Sequence, residues 1–435
     1  MSAQRNGRAR AVTRAGFLPM LARQVRTDLS TAPVALRRRL AAGARAQRAG
    51  NIAELRVLGA RRVPRTVFDY IDGAAGDELT AERNQTDLRA LAVIPRVLTG
   101  TVDLDLTTTV LGQRLAIPLL GAPTGLTGLV HHDGEVAVAR AVHSAGGLYV
   151  LSSAGSRSID DVAQMSPGPR WFQIYVGPDR GLVQSLLGRA RAAGYSALMV
   201  TVDVAQAGAR ERDRRNGFTM PPRVTARSIA QGLRRPRWSA EFISRPRILS
   251  QAALLAGASE AAARPLAEMI NSQFDPALSW TDIGWLQERW DGPIVLKGIL
   301  RAADAEQAAR LGVAGVVVSN HGGRQLDAAP SSISVLPRVV DAVGGELEVY
   351  MDGGVRRGVD IVKALALGAR ACLSGRALLY GLAAGGPAGA ARAVSLLVDE
   401  LSLAMTLAGA GSVAELDRSW IANAHSDGRT GWSTE

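Results

Sequence analysis

The chain has little cysteine, little lysine, few aromatic residues and no long apolar run, and each shortage narrows the choices. Cys372 is the only cysteine in 435 residues, so no intrachain disulfide or multi-thiolate metal site can form, and nothing marks an oxidising compartment. Five histidines are present and none has the spacing of a zinc motif, so no metal is expected. No stretch approaches the roughly 20 uninterrupted apolar residues that a membrane-crossing helix requires. Aromatic residues make up 4% of the chain, and the basic residues of the first 50 show none of the aromatic interleaving that nucleic-acid surfaces use. Of 51 basic residues only Lys297 and Lys363 are lysines, which draws attention to each of them.

A hydrophobic fraction of 47% excludes disorder of the whole chain. The formal charge of +12 suggests nucleic acid until it is located. Residues 1–50 hold eleven arginines against one acid, Asp28, and so carry +10 of it. The body is nearly neutral. The tail lacks the form of a secretory signal, because its apolar stretch around Phe17–Ala22 is short and contains Pro19. It reads as a solvated extension, as an arm drawn to an anionic membrane surface, or as a targeting or nucleic-acid-binding segment, the last leaving a basic-tailed nucleic-acid-binding protein as a remote alternative. The division expected is 1–50 as a basic extension, 51–425 as the body and 426–435 as a C-terminal tail.

From residue 51 onward, short apolar β-rich runs alternate with Ala- and Arg-rich helical stretches. The runs are 118–123, 148–153, 171–176, 197–203, 294–298, 315–320, 349–354 and 370–375. Continuous apolar strands separated by helices imply a parallel sheet buried on both faces. Eight of them fit an α/β (β/α)₈ TIM barrel, with an open doubly wound sheet as the alternative. The barrel is favoured because almost every run ends in a polar or glycine residue, and barrel closure gathers those ends on one face. The connection 204–293 is far longer than the others and is expected to be a functional loop or lid. Its part 221–250 holds seven arginines and one acid among apolar residues that include Trp238 and Phe242. Such a mixture suits either a membrane interface or a solvated lid face.

The chemistry is expected at the strand ends. Asp352-Gly-Gly-Val-Arg-Arg-Gly358 follows the seventh run and Ser374-Gly-Arg376 the eighth. Glycines let backbone N–H groups approach an anion and arginine adds a bidentate contact, so these turns point to a phosphorylated cofactor. After the sixth run, His321 pairs a near-neutral base with Arg324 as an anion anchor. Asp203, ending the fourth, can orient that imidazole. Arg210 supplies a second guanidinium, and Lys297, closing the fifth, places a cation where a cofactor ring can become anionic.

Together these stretches resemble the FMN-dependent α-hydroxy acid dehydrogenases and oxidases, from about Ile52 to Ile421. SNHGGRQLD at 319–327, DGGVRRG at 352–358, VLKG at 295–298, WFQIYV at 171–176, TVD at 201–203 and GARERDRRNGF at 208–218 carry the resemblance. It implies His321 as active-site base with Asp203 as its partner, and Arg210 and Arg324 as holders of the substrate carboxylate. Tyr70 and Tyr175 would hydrogen-bond the substrate. For FMN it implies Pro123, Thr124, Gly125, Ser152, Gln173, Thr201, Lys297 and Ser319. The phosphate would lie against Asp352, Gly353, Gly354, Arg356, Gly375 and Arg376. Ala154 and Ala207 stand where glycolate oxidases are bulkier, which implies a larger pocket and an L-lactate-like or larger 2-hydroxy acid. Also implied are a homo-oligomer, often a tetramer, and a cytoplasmic location. The basic segments add an expectation of peripheral contact with the inner face of the membrane and of a quinone as electron acceptor, against an O₂-dependent oxidase as the alternative.

Overall fold

The computed structural model describes residues 42–100, 103–220, 225–244, 264–265 and 274–423. Its centre is a closed barrel of eight parallel strands. They are β1 Leu119–Gly121, β2 Leu148–Ser152, β3 Arg170–Ile174, β4 Leu198–Thr201, β5 Ile294–Ile299, β6 Gly315–Val318, β7 Glu348–Met351 and β8 Ala371–Ser374. The order is sequential, and β8 pairs with β1 to close the ring. The helices that follow the strands are α1 Gly134–Ser144, α2 Ile159–Met165, α3 Arg180–Ala192, α4 Trp280–Gln287, α5 Ala302–Arg310, α6 Ser332–Val343, α7 Gly358–Ala366 and α8 Arg376–Gly385. Several begin at a side-chain cap: Ser158, Asp179 and Ser331 accept from the N–H three residues on. The expected (β/α)₈ barrel is therefore the fold.

Every strand is buried along nearly its whole length, as continuous apolar runs require when helices cover the outside. Period two then sorts each strand into an inward and an outward face. Leu120, Val150, Trp171, Met199, Val295, Val317, Tyr350 and Leu373 fill the interior as one cluster. The hairpin Thr108–Val110 with Gln113–Leu115 closes the base, adding Val110 and Leu115 to that cluster. Glu348 fixes this seal by accepting from Leu111 N at 3.0 Å and from the Tyr350 hydroxyl.

Helices outside the repeat complete the body. Ala42–Gln47, inside the segment read as a basic extension, packs on α8 and on the last helix, Pro387–Ala408, with Ala46 and Ala49 buried. Residues 1–41 and the tail 426–435 lie outside the described residues. In the connection 204–293, the helix Glu211–Arg215 and the helices Ala226–Leu233 and Pro236–Ser244 are described. Trp238 and Phe242, in a stretch read as suiting either a membrane interface or a solvated lid face, are partly buried against the body. The Trp238 indole N–H donates to Leu129 O at 2.9 Å, and its ring stacks on Phe242 at 4.6 Å. An indole with a carbonyl partner and an apolar bed gains more there than in water. The apolar residues this pair leaves to solvent are Ile229, Leu233 and Ile243.

One carboxylate ties the elements around the barrel mouth together. Asp72, ending the helix Arg65–Asp72, accepts from Arg56 at 2.6 Å, Tyr380 at 2.7 Å and Arg212 at 2.9 Å. Burial pushes its pKa up, but the bonds from Arg56 and Tyr380 outweigh this and hold it at about 2. A folded-state pKa below the unfolded one means stability present above about pH 4 and lost as pH falls through the folded value. Asp72→Asn is expected to cost about 2 kcal/mol at neutral pH, read by urea unfolding, with the difference from the parent narrowing toward about pH 3. An unchanged midpoint at neutral pH would remove Asp72 from this role.

Candidate active site

The inward residue above each apolar interior position is polar on most strands, so the barrel's own parity builds the floor of a site. Val150 is followed on that face by Ser152, Trp171 by Gln173, Met199 by Thr201, Val295 by Lys297, Val317 by Ser319 and Tyr350 by Asp352. Ser152 Oγ donates to Gln173 Oε1 at 2.7 Å, and Gln173 Nε2 donates to Thr201 Oγ1 at 2.8 Å. Lys297 Nζ donates to Ser319 Oγ at 3.0 Å and pairs with Asp352 at 3.1 Å. Burial lowers the Lys297 pKa, but Asp352 and Asp203 outweigh it and the ammonium stays charged. Ser152, Gln173, Thr201 and Ser319 form this buried layer, while Lys297 and Asp352 also reach the wall of the cavity above it. That cavity encloses about 1260 Å³ of non-atom space, part of it open to solvent.

His321 stands in the loop after β6 with φ 58°, a left-handed conformation that a non-glycine residue adopts at a cost of order 1–3 kcal/mol. Its Nδ1 lies 3.0 Å from Asp203 Oδ1. A carboxylate only accepts, so Nδ1 carries the hydrogen and Nε2 keeps its lone pair. Burial lowers the His321 pKa despite the Asp203 charge, leaving a neutral imidazole. Burial alone would raise the Asp203 pKa, but His321 and Lys297 draw it down, so the carboxylate stays ionised. The pair needs glycine beside it: a Cβ on Gly298, where φ is 113°, would lie 2.6 Å from the Asp203 Cβ. Gln325 locks the two loops together, donating from Nε2 to Asp203 O at 3.0 Å and to Gln206 O at 2.9 Å.

Arg210 and Arg324 face the same cavity. Arg324 Nη1 donates to Tyr70 O at 2.8 Å and Gly73 O at 2.9 Å, which fixes the guanidinium before any ligand arrives. Arg210 is almost buried and sits 3.7 Å from Asp213. The Tyr70 hydroxyl donates to Gly125 O at 3.2 Å. The Tyr175 ring stacks on His321 at 6.5 Å and contacts Phe274 at 5.0 Å. Ala154 lines the cavity, as its small size implied; Ala207 is not on its wall. Leu126, Val204 and Phe274 are wall residues that sequence reading missed. Val204 adjoins Asp203 and was within reach of inspection, whereas Phe274 returns from the far end of the long connection with no motif around it.

The same cavity is also lined by Pro123, Thr124, Gly125, Asp352, Gly353, Gly354, Arg356, Gly375 and Arg376. A Cβ on Gly354, with φ 86°, would fall 2.1 Å from Asn84 O, so the turn after β7 needs glycine there. Arg376 donates to Ile71 O, Gly322 O and Gly73 O at 3.2, 2.6 and 2.9 Å. Its guanidinium is thus engaged in holding backbone, which leaves its charge and its place at the α8 N-terminus as what it could offer an anion. Ser374 Oγ and Asp352 Oδ1 are buried with no hydrogen-bond partner among the described residues. Unpartnered polar atoms beside a helix N-terminus, Arg356 and a buried lysine fit a ligand with a phosphate at one end and a polar ring at the other. Flavin mononucleotide is such a ligand.

The FMN-dependent dehydrogenase family matches residues 59–423. The chain is 43% identical to an L-lactate oxidase from Nostoc sp. over 85% of its own length and 97% of the relative's. It is 42% identical to an L-lactate dehydrogenase from Stenotrophomonas maltophilia, covering 85% and 98%. Among solved structures it resembles the monotopic membrane protein (S)-mandelate dehydrogenase with a TM-score of 0.82 at 37% identity, covering 86% of this chain and all of that one. Mandelate oxidase with (S)-4-hydroxymandelic acid gives 0.76 at 36%, covering 85% and 98%. With barrel, cavity and matches in agreement, the chain belongs to the FMN-dependent dehydrogenase family and is an oxidoreductase that acts on the CH–OH group of 2-hydroxy acids.

Proposed function

We propose that the cavity binds an L-2-hydroxy acid, lactate-like or larger, with its carboxylate on Arg210 and Arg324, and that His321 takes the proton released as it becomes a 2-oxo acid. The observation that carries this reading is the His321 imidazole, held by Asp203 at 3.0 Å, in the same cavity as the Arg210 and Arg324 guanidinium groups. Tyr70 and Tyr175 supply hydroxyls to the substrate oxygens. Burial raises both phenol pKa values, so each remains a donor. Bound FMN supplies the two-electron acceptor. Ser152, Gln173, Thr201, Lys297 and Ser319 would hold its ring, and the wall from Asp352 to Arg356 with Gly375 and Arg376 its phosphate. Lys297 stabilises negative charge there, because a buried ammonium acts in a low-dielectric site.

The electrons pass, in this reading, to a quinone at the inner face of the cytoplasmic membrane. Ile229, Leu233 and Ile243 are exposed on the helix pair beside the mouth, with Arg234 and Arg237 also exposed. Apolar tips among arginines suit an anionic bilayer, each arginine adding about 1 kcal/mol near its surface. The ten net charges of residues 1–50 point the same way. No described helix is long and apolar enough to cross a membrane, so the contact proposed is peripheral. A tetramer belongs to the same reading, with Leu403 and Leu407, exposed one turn apart on the last helix, as apolar surface for a second copy.

The test starts with purified holoprotein and L-2-hydroxy acids added without oxygen. Bleaching of the flavin band is expected, followed by reoxidation by a quinone analogue faster than by air. Co-sedimentation with phosphatidylglycerol vesicles should be lowered by salt and by replacing Ile229, Leu233 and Ile243 with Ser. Rapid peroxide formation in air without quinone reduction would decide for the soluble oxidase. Failure of every hydroxy acid to bleach the flavin would refute the substrate class.

A further inference from the structure

The wall of the cavity beyond His321 is set by a segment far from it in sequence. Phe274, 6% exposed, returns from the long β4–α4 connection and packs on Tyr175. With Leu126, Val204 and Ala154 it adds apolar surface to the lining of the cavity.

Phe274 is held there by one arginine that does not itself line the cavity. Arg180, at the start of α3, donates to Gly177 O at 3.1 Å, two residues beyond Tyr175. Its Nη2 bridges Asp275 at 3.0 Å and Asp282 at 2.6 Å, and its guanidinium lies over the Trp285 ring at 5.5 Å. Asp275 N donates to Val176 O, which completes the tie between the returning segment and the Tyr175 turn. Asp282 is fixed in turn by the Ser279 capping box at the start of α4. The aromatic wall is therefore prearranged, and its spacing depends on a planar fork that reaches two carboxylates and a carbonyl at once.

We infer that Phe274 is a specificity-determining residue, positioned by Arg180, which makes the site select L-2-hydroxy acids whose side chain is apolar and larger than methyl. This rests on the hydroxy-acid reading above and narrows it. A dry apolar wall gains from each buried methylene and loses when water or a shorter side chain leaves it uncovered, with discrimination of about 10–200-fold per step.

Anaerobic flavin reduction by the full holoenzyme tests it, using 2-hydroxy acids that carry hydrogen, methyl, isobutyl and phenyl side chains. For the parent, kcat/KM for the isobutyl or phenyl acid is expected to exceed that for the methyl acid by about tenfold or more. Phe274→Ala should lower that ratio by a similar factor. Phe274→Leu, which keeps the wall filled if the smaller variant fails to fold, should lower the phenyl-to-isobutyl ratio. Arg180→Gln should lower the large-to-methyl ratio through KM rather than kcat. A merely structural Arg180 would reduce thermal stability and slow all four substrates alike, leaving the ratios where they were. Unmoved ratios, or a parent that prefers the methyl acid, overturn the inference while the hydroxy-acid reading stands. If none of the four bleaches the flavin, both fall together.

Discussion

His321→Gln is expected to slow flavin reduction by about 10²–10⁴-fold while the protein still binds FMN and still takes up the substrate carboxylate. Glutamine keeps a polar group near Asp203, so the local packing survives. It has no basic nitrogen to accept a proton, and that function is lost. Stopped-flow reduction without oxygen reads the rate, and a binding titration with an unreactive 2-oxo acid reads the retained carboxylate site. The parent should show a reduction rate that falls as acid protonates His321, at a pH below the usual histidine range because burial lowers its pKa. Near-normal reduction by the variant would remove His321 from proton transfer and leave Asp203 without a catalytic partner.

Lys297→Met should have a comparably large effect of a different kind. The ammonium is 4% exposed and 3.1 Å from Asp352, so methionine leaves a buried carboxylate without its counter-charge. Breaking one side of such a pair costs about 3–5 kcal/mol, which unfolding in urea would detect. Weaker FMN binding or slower reduction is expected in addition, because the cation near the ring is gone. The second change Asp352→Asn separates these effects. The double variant should regain much of the stability, since no uncompensated charge remains, yet stay impaired toward flavin. If the double variant recovered flavin binding fully, Lys297 would matter only as a partner for Asp352.

The parts of this site legible in the sequence were those dictated by local rules. Apolar runs of strand length fixed the barrel, and period two carried Lys297, Ser319 and Asp352 to its inward face once the strands were placed. The Asp203–His321 pairing followed because both residues terminate strands that a closed barrel brings together. What escaped depended on tertiary placement with no local signature. Phe274 and Arg180 meet only because a distant segment folds back, and neither lies in a distinctive pattern. Trp238 and Phe242 were left open between two readings because an apolar helix face looks the same in sequence whether it meets a lipid or the body of its own protein. The carbonyl of Leu129, far away along the chain, decided between them. The helix Ala42–Gln47 was likewise grouped with its arginine-rich surroundings, although small alanines let it pack closely on α8.

The hairpin that seals the base of the barrel also bears on how traffic would run. With Val110 and Leu115 capping the filled interior, a hydroxy acid, its oxo acid and an acceptor would not come through the base and would share the doorway at the strand ends. Reactants that share it would take turns in the two halves of the turnover. A protein parked with that doorway against a membrane would draw its fuel from the narrow layer of water at the lipid surface, and whatever widens or narrows that gap would set the pace of both halves at once.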